Sequence, residues 1–104
     1  MKYIKYNKVL VNSSKRDEST RLILEFFKQV EEKIKEMKGF IGMDSLDNPS
    51  ESIVLTFWQS KEDMDRFYHS DNRFLSDLVE KLKPSFEQMP ERKDYQISDF
   101  KFFK

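Results

Sequence analysis

The chain has no cysteine and a single histidine, His69. The first absence removes disulfide staples, thiolate nucleophiles and Cys-ligated zinc or iron–sulfur centres together. The second excludes a poly-histidine metal site within one chain. Net charge is also missing: nineteen basic and nineteen acidic residues cancel. The uniform positive field that draws proteins to nucleic-acid phosphates is therefore absent, and a nucleic-acid partner is disfavoured. No apolar run approaches the roughly 18 residues of a bilayer span, which argues against a membrane protein. The N-terminal stretch lacks an apolar signal core followed by small residues, so a cytoplasmic location is expected. No repeat, low-complexity tract or linker divides the 104 residues, and residues 1–104 read as one domain.

What the chain does have is apolar and aromatic mass. Leu, Ile, Val and Phe make up 29 of its 104 residues, enough to build a core. Ten Phe, four Tyr and one Trp exceed what one small core consumes. The surplus points to a ligand pocket or a subunit interface, where rings dominate the energetics.

Periodicity gives the order of elements. Tyr3 to Val11 alternates as a strand with apolar groups on both faces. Asn12, Ser13 and Ser14 make a turn. Ile23, Phe26, Phe27, Val30, Ile34 and Met37 then recur at helical spacing, with Gly39 placed to cap the helix after Lys38. Phe40 to Leu46 and Ser52 to Trp58 read as an antiparallel hairpin around the turn cluster Asp47-Asn48-Pro49-Ser50. Ser60 and Asp63 open a second helix carrying Met64, Phe67 and Tyr68. The run His69-Ser70-Asp71 interrupts it, Asp71 recaps a continuation through Leu82, and Pro84 ends that continuation. After a polar loop with Met89 and Pro90, Tyr95 to Phe103 reads as a final strand. The sum is α+β: a ferredoxin-like β-α-β-β-α-β antiparallel sheet with both helical stretches on one face. Strands one and three are apolar on both faces, so a second copy is expected to cover the open side as a homodimer.

The run Lys38-Gly39-Phe40-Ile41-Gly42-Met43-Asp44-Ser45-Leu46, followed by Ile53 to Ser60 with Met64 and Phe67 beyond, resembles the antibiotic-biosynthesis-monooxygenase (ABM) domain. That family opens strand two on Gly-Phe and leaves strand three on Trp-x-Ser. The resemblance implies a dimeric α+β barrel and oxygenase chemistry, including oxidation of polycyclic phenols without a cofactor. Its haem-degrading branch carries an asparagine on strand one, a tryptophan on the second helix and an iron-binding histidine ten residues later. Here Asn7 matches the first, Phe67 stands at the tryptophan position and Asp77 at the histidine position. A carboxylate is not the usual axial ligand of haem, so haem chemistry ranks second.

Oxygenation without metal or flavin needs a dry pocket, an oxyanion donor and a base. Asn7 is the candidate donor, a polar residue on a buried-looking strand face. His69, the one side chain that ordinarily titrates near neutrality, is the candidate base. Trp58, Phe67, Tyr68, Phe74 and Asp77 are the candidate substrate-binding residues. Helical arithmetic puts Asp77 on the polar flank of its helix, with the break at His69 loosening that placement. Lys38-Gly39-Phe40-Ile41-Gly42-Met43 also has a look of an RNA-recognition submotif, but it enters the wrong strand and has no basic surroundings. The expected function is a cofactor-independent monooxygenase of a hydrophobic, aromatic or polyketide-like small molecule. The alternatives are a haem-binding or haem-degrading enzyme and a catalytically inert binder on the same fold.

Overall fold

Alternating side chains make β1 (Tyr3–Val11) the central strand on which the rest is assembled. A computed structural model describes residues 2–104. After a 3-10 turn at Ser13–Lys15 come α1 (Arg16–Lys33), β2 (Met37–Asp44), β3 (Glu51–Trp58), α2 (Lys61–Phe67), α3 (Arg73–Leu82) and β4 (Phe86–Gln96). The strands form one antiparallel sheet in the order β2-β3-β1-β4. This is the α+β, ferredoxin-like arrangement expected from the element order. No described helix is long and apolar enough to cross a membrane.

The sheet has two unlike faces. Asn7, Val9 and Val11 of β1 and Val54, Thr56 and Trp58 of β3 are buried beneath the helices. There Phe26, Phe27, Val30, Met64 and Phe67 join Val54 and Trp58 in the core. The alternate residues Ile4, Tyr6 and Leu10, with Ile53 and Leu55, lie on the other face and are only half-buried. Their register partners Ile41, Met43 and Tyr95 are exposed.

Three boundaries differ from the sequence expectation. The first helix stops at Lys33 rather than at Lys38, where Ile34 leaves helical geometry with its N–H still bonded to the Val30 carbonyl. An 18-residue helix is about 27 Å long, close to the length of a nine-residue strand, so the chain must turn back there. Ile34 and Met37 both still pack on the core, which is why their spacing mimics one more helical turn. The cap of α3 is Asn72, not Asp71: its Oδ1 accepts from the Leu75 N–H at 3.3 Å and its Nδ2 donates to the Phe67 carbonyl at 2.7 Å. One side chain thus closes one helix and opens the next.

The last strand is Phe86–Gln96, nine residues earlier at its start than the expected Tyr95 to Phe103. Met89 and Pro90, read as loop, fall between the pairs Leu10–Gln88 and Lys8–Glu91, where the register shifts. A proline has no N–H to give a ladder and is tolerated at an edge or a bulge, and β4 is an edge strand. The remaining assignments agree to within a few residues. The Asp47–Ser50 turn is tied by Ser45 and Asn48 side chains, and Ser60 caps α2 by accepting from the Asp63 N–H.

Candidate functional site

Where α2 ends against the sheet, four polar side chains converge inside apolar surroundings. Tyr68 follows α2 directly, its N–H bonded to the Met64 carbonyl. That anchor sends its ring back to the sheet, where the hydroxyl lies 2.9 Å from Thr56 Oγ1 and 3.4 Å from Asn7 Nδ2. Asn7 is 8% exposed, and Nδ2 also donates to the Val54 carbonyl at 3.1 Å. Trp58 Nε1 donates to Thr56 Oγ1 at 3.0 Å. Asn7 and Trp58 are pure donors into this row, so the Thr56–Tyr68 bond uses one of the two hydroxyl protons and leaves the other for a further acceptor.

Arg92, an exposed residue, completes the group from the solvent side. It stands directly across the ladder from Asn7, and its Nε–H donates to Asn7 Oδ1 at 3.1 Å. Its guanidinium also lies 5.1 Å from the Tyr68 ring centre, with the Lys5 ammonium at 4.9 Å. Lys5 pairs with Asp94, whereas Arg92 has no carboxylate partner among the described residues. Burial pushes the Tyr68 hydroxyl above the usual phenol range; the Thr56 and Asn7 hydrogen bonds and the Arg92 charge offset this only in part. The side chain is therefore a neutral donor at physiological pH.

Asn7, Tyr68 and Arg92 form the polar end of a cavity of about 60 Å³. Its other walls are apolar, among them Val54, Phe67, Leu75 and Leu78. A water takes roughly 30 Å³ and drug-sized ligands sit in pockets of roughly 300 Å³ or more, so a ring-bearing ligand must spread these walls. The cavity can hold an apolar body and stabilise negative charge at one end. No carboxylate or imidazole lines it.

Of the candidates from the sequence, Asn7, Phe67 and Tyr68 meet here. Trp58 is fully buried and reaches the site only through Thr56. Phe74 stacks on Phe26 at 4.8 Å and faces a groove between α1 and α3 that also contains Asp77, an exposed residue. The exposed His69 is set apart, accepting from the Asp71 N–H at 3.2 Å in an open depression beside Asp63 and Asn72. Arg92 and Thr56 went unnoticed in the sequence. Thr56 was signalled by its place between Val54 and Trp58 on a buried face; Arg92 was hidden by the loop reading around Pro90.

A haem does not fit this donor set. The only imidazole, on His69, is not among the cavity's walls, and Asp77 is on an exposed flank. Among the described residues no group of three or more His, Asp or Glu is placed to hold a metal ion.

Residues 8–73 match the sequence profile of the antibiotic biosynthesis monooxygenase family, and the chain belongs to that family. Its fold is similar to that of a conserved protein from Methanosarcina mazei Go1, with 20% identity, a TM-score of 0.75, and coverage of 91% of this chain and 92% of that one. It is also similar to a candidate antibiotic biosynthesis monooxygenase from Caulobacter crescentus CB15, at 12% identity and a TM-score of 0.82, covering 94% and 91% of the two chains. A third, from Nitrosomonas europaea and of the same description, gives 11%, 0.79, 93% and 90%. At such identities the likeness speaks for the fold. No curated protein sequence matches the chain.

Proposed function

We propose that this protein binds a hydrophobic, ring-bearing small molecule between the sheet and α3 and oxygenates it with molecular oxygen, without a bound metal or organic cofactor. The observation that carries this reading is the unpaired Arg92 guanidinium beside Asn7 and Tyr68 at the one polar end of an apolar cavity. Such an end suits a substrate whose acidic C–H lies next to a carbonyl, as in an anthrone.

The cavity walls offer no base, so the proton leaves to solvent, and the chain's contribution is to stabilise the resulting enolate. Arg92 donates to its oxygen from the solvent side and the Tyr68 O–H from the buried side, where the low-dielectric surroundings strengthen the bond. Oxygen then adds at the carbanionic carbon, forming a C–O bond, and the hydroperoxide loses water to leave a ketone. A CH₂ and O₂ become C=O and H₂O. Four electrons pass from carbon to oxygen, and no outside reductant is required.

The open sheet face supports a homodimer as the working form. An oxygen electrode with an anthrone probe is the test: wild type consumes one O₂ per ketone formed, and Arg92→Met lowers kcat/KM about 10²-fold, the usual scale for one oxyanion donor. Binding without oxygen uptake would instead make this an inert binder. Neither binding nor uptake would sink the reading.

A further inference from the structure

The cavity beside Asn7 shares wall residues with three larger hollows. It shares Phe67 with the open depression that holds His69. It shares Phe27 with a groove between α1 and β2. Phe26 and Leu78 are common to it and to the groove between α1 and α3, which measures about 210 Å³. These shared side chains are the partitions that a ligand must pass. We propose that Leu78 is the door of the cavity: the ligand enters from the α1–α3 groove and, once bound, lies across the place that Leu78 fills. The inference rests on the reading that a ring-bearing molecule binds here, and not on the chemistry that follows.

The three rings are fixed. Phe67, Phe26 and Phe27 are only 6%, 7% and 8% exposed. Phe67 touches both Trp58 and Tyr68, with ring centres 5.2 Å away in each case. Phe27 stacks on Phe40 at 4.2 Å and meets Phe26 edge-on at 5.3 Å, and Phe26 stacks in turn on Phe74 at 4.8 Å. Moving any one of them breaks ring contacts worth roughly 0.5–1.5 kcal/mol each, on top of exposing the ring itself. Leu78 carries no such penalty. It is half-buried at the margin of the core, so displacing it costs less than the roughly 1.5–3 kcal/mol of a fully buried side chain. A change of rotamer or a small outward shift of α3 takes it away from Phe26.

Size favours the same route. The cavity of about 60 Å³ is too small alone, and so is the groove of about 210 Å³; joined, they approach the roughly 300 Å³ at which drug-sized pockets begin. The solvent side at Arg92 is a poorer entrance. An apolar ring arriving there must strip water from an exposed guanidinium and pass it while its Nε–H is bonded to Asn7. Leu78 thereby also sets which guests are admitted, since the opening is as wide as the side chain that vacates it.

Because the chain has no cysteine, a single thiol can be placed on either side of the cavity. Asp77→Cys puts it in the groove, and Met89→Cys puts it next to Pro90, a wall residue at the β4 edge. Each protein is labelled with a maleimide bearing an adamantyl group, and association of 2-anthrol, a fluorescent three-ring probe, is followed by stopped flow. The label at position 77 should lower the association rate constant at least tenfold, and the label at position 89 should change it less than twofold. Unlabelled Leu78→Ala should take up the probe at least tenfold faster than Val79→Ala at equal helical content. Val79 is a wall of the cavity that the groove does not share, so only the first truncation removes the partition. Removing a door lifts the penalty that a sparsely populated open form imposes on binding. Unchanged entry past the label at position 77, slowing by the label at position 89 instead, or equal rates for the two truncations would each overturn the proposal and leave the ligand reading in place. A wild type that takes up no probe would overturn both.

Discussion

Tyr68 is the residue on which the polar row turns. Its hydroxyl is held neutral chiefly by burial, so its folded pKa lies above its unfolded one. An acid raised in this way leaves stability intact below the unfolded value near pH 10 and removes it progressively as pH climbs toward the folded value, because the unfolded chain releases its proton first. Urea midpoints measured between pH 9 and 11 should therefore fall for wild type and fall less for Tyr68→Phe. Equal slopes for the two proteins would count against a buried neutral phenol. At this scale the sequence was partly legible. Asn7 stood out because an amide on a strand face shared with Val9 must find partners, and it has Val54, Tyr68 and Arg92. Arg92 did not stand out, since a lone arginine in a charged stretch looks like any solvated cation until a neighbouring strand sets its register.

Among the elements, the short α2 and the longer α3 depend on one junction. Asn72 satisfies an N-terminal donor of α3 and holds the Phe67 carbonyl, the last residue of α2. Asn72→Ala removes both bonds and should cost about 1–2 kcal/mol in chemical denaturation. Asp71→Ala should cost under about 0.5 kcal/mol, the usual range for an exposed position. A reversed order would show that Asp71 is the cap after all. Helix and strand existence was readable from period alone, as α1 and β3 show. Ends were not, for two physical reasons. Ile34 and Met37 serve one core from two different elements, and Pro90 sits in a strand that bulges to accept it. Asp71 and Asn72 are both good caps, and choosing between them needs the position of the Leu75 N–H.

At the scale of the whole molecule, the apolar stripe through Ile4, Tyr6, Ile53 and Leu55 turns away from every helix. Leu55→Lys places a charge at its centre while leaving the helical side untouched. Sedimentation equilibrium should find wild type as a dimer and Leu55→Lys as a folded monomer; a wild-type monomer at micromolar concentration would remove the sheet-face interface. The strand order and the helix placement were deducible from the sequence. The identity of the covering surface was not, because alternation tells which side chains share a face and nothing about what meets them.

The cavity beside Asn7 and Arg92 has room for about two waters, and that smallness sets a clock. No guest the size of a fused ring can land there by collision alone; it must wait until α3 or the bulged edge breathes outward. Stopped-flow mixing with a fluorescent anthracene-type guest should thus give observed rates that climb at low concentration and then level off, the plateau reporting how often the door opens. A straight line to the highest concentration would mean that the protein's resting form is already ajar.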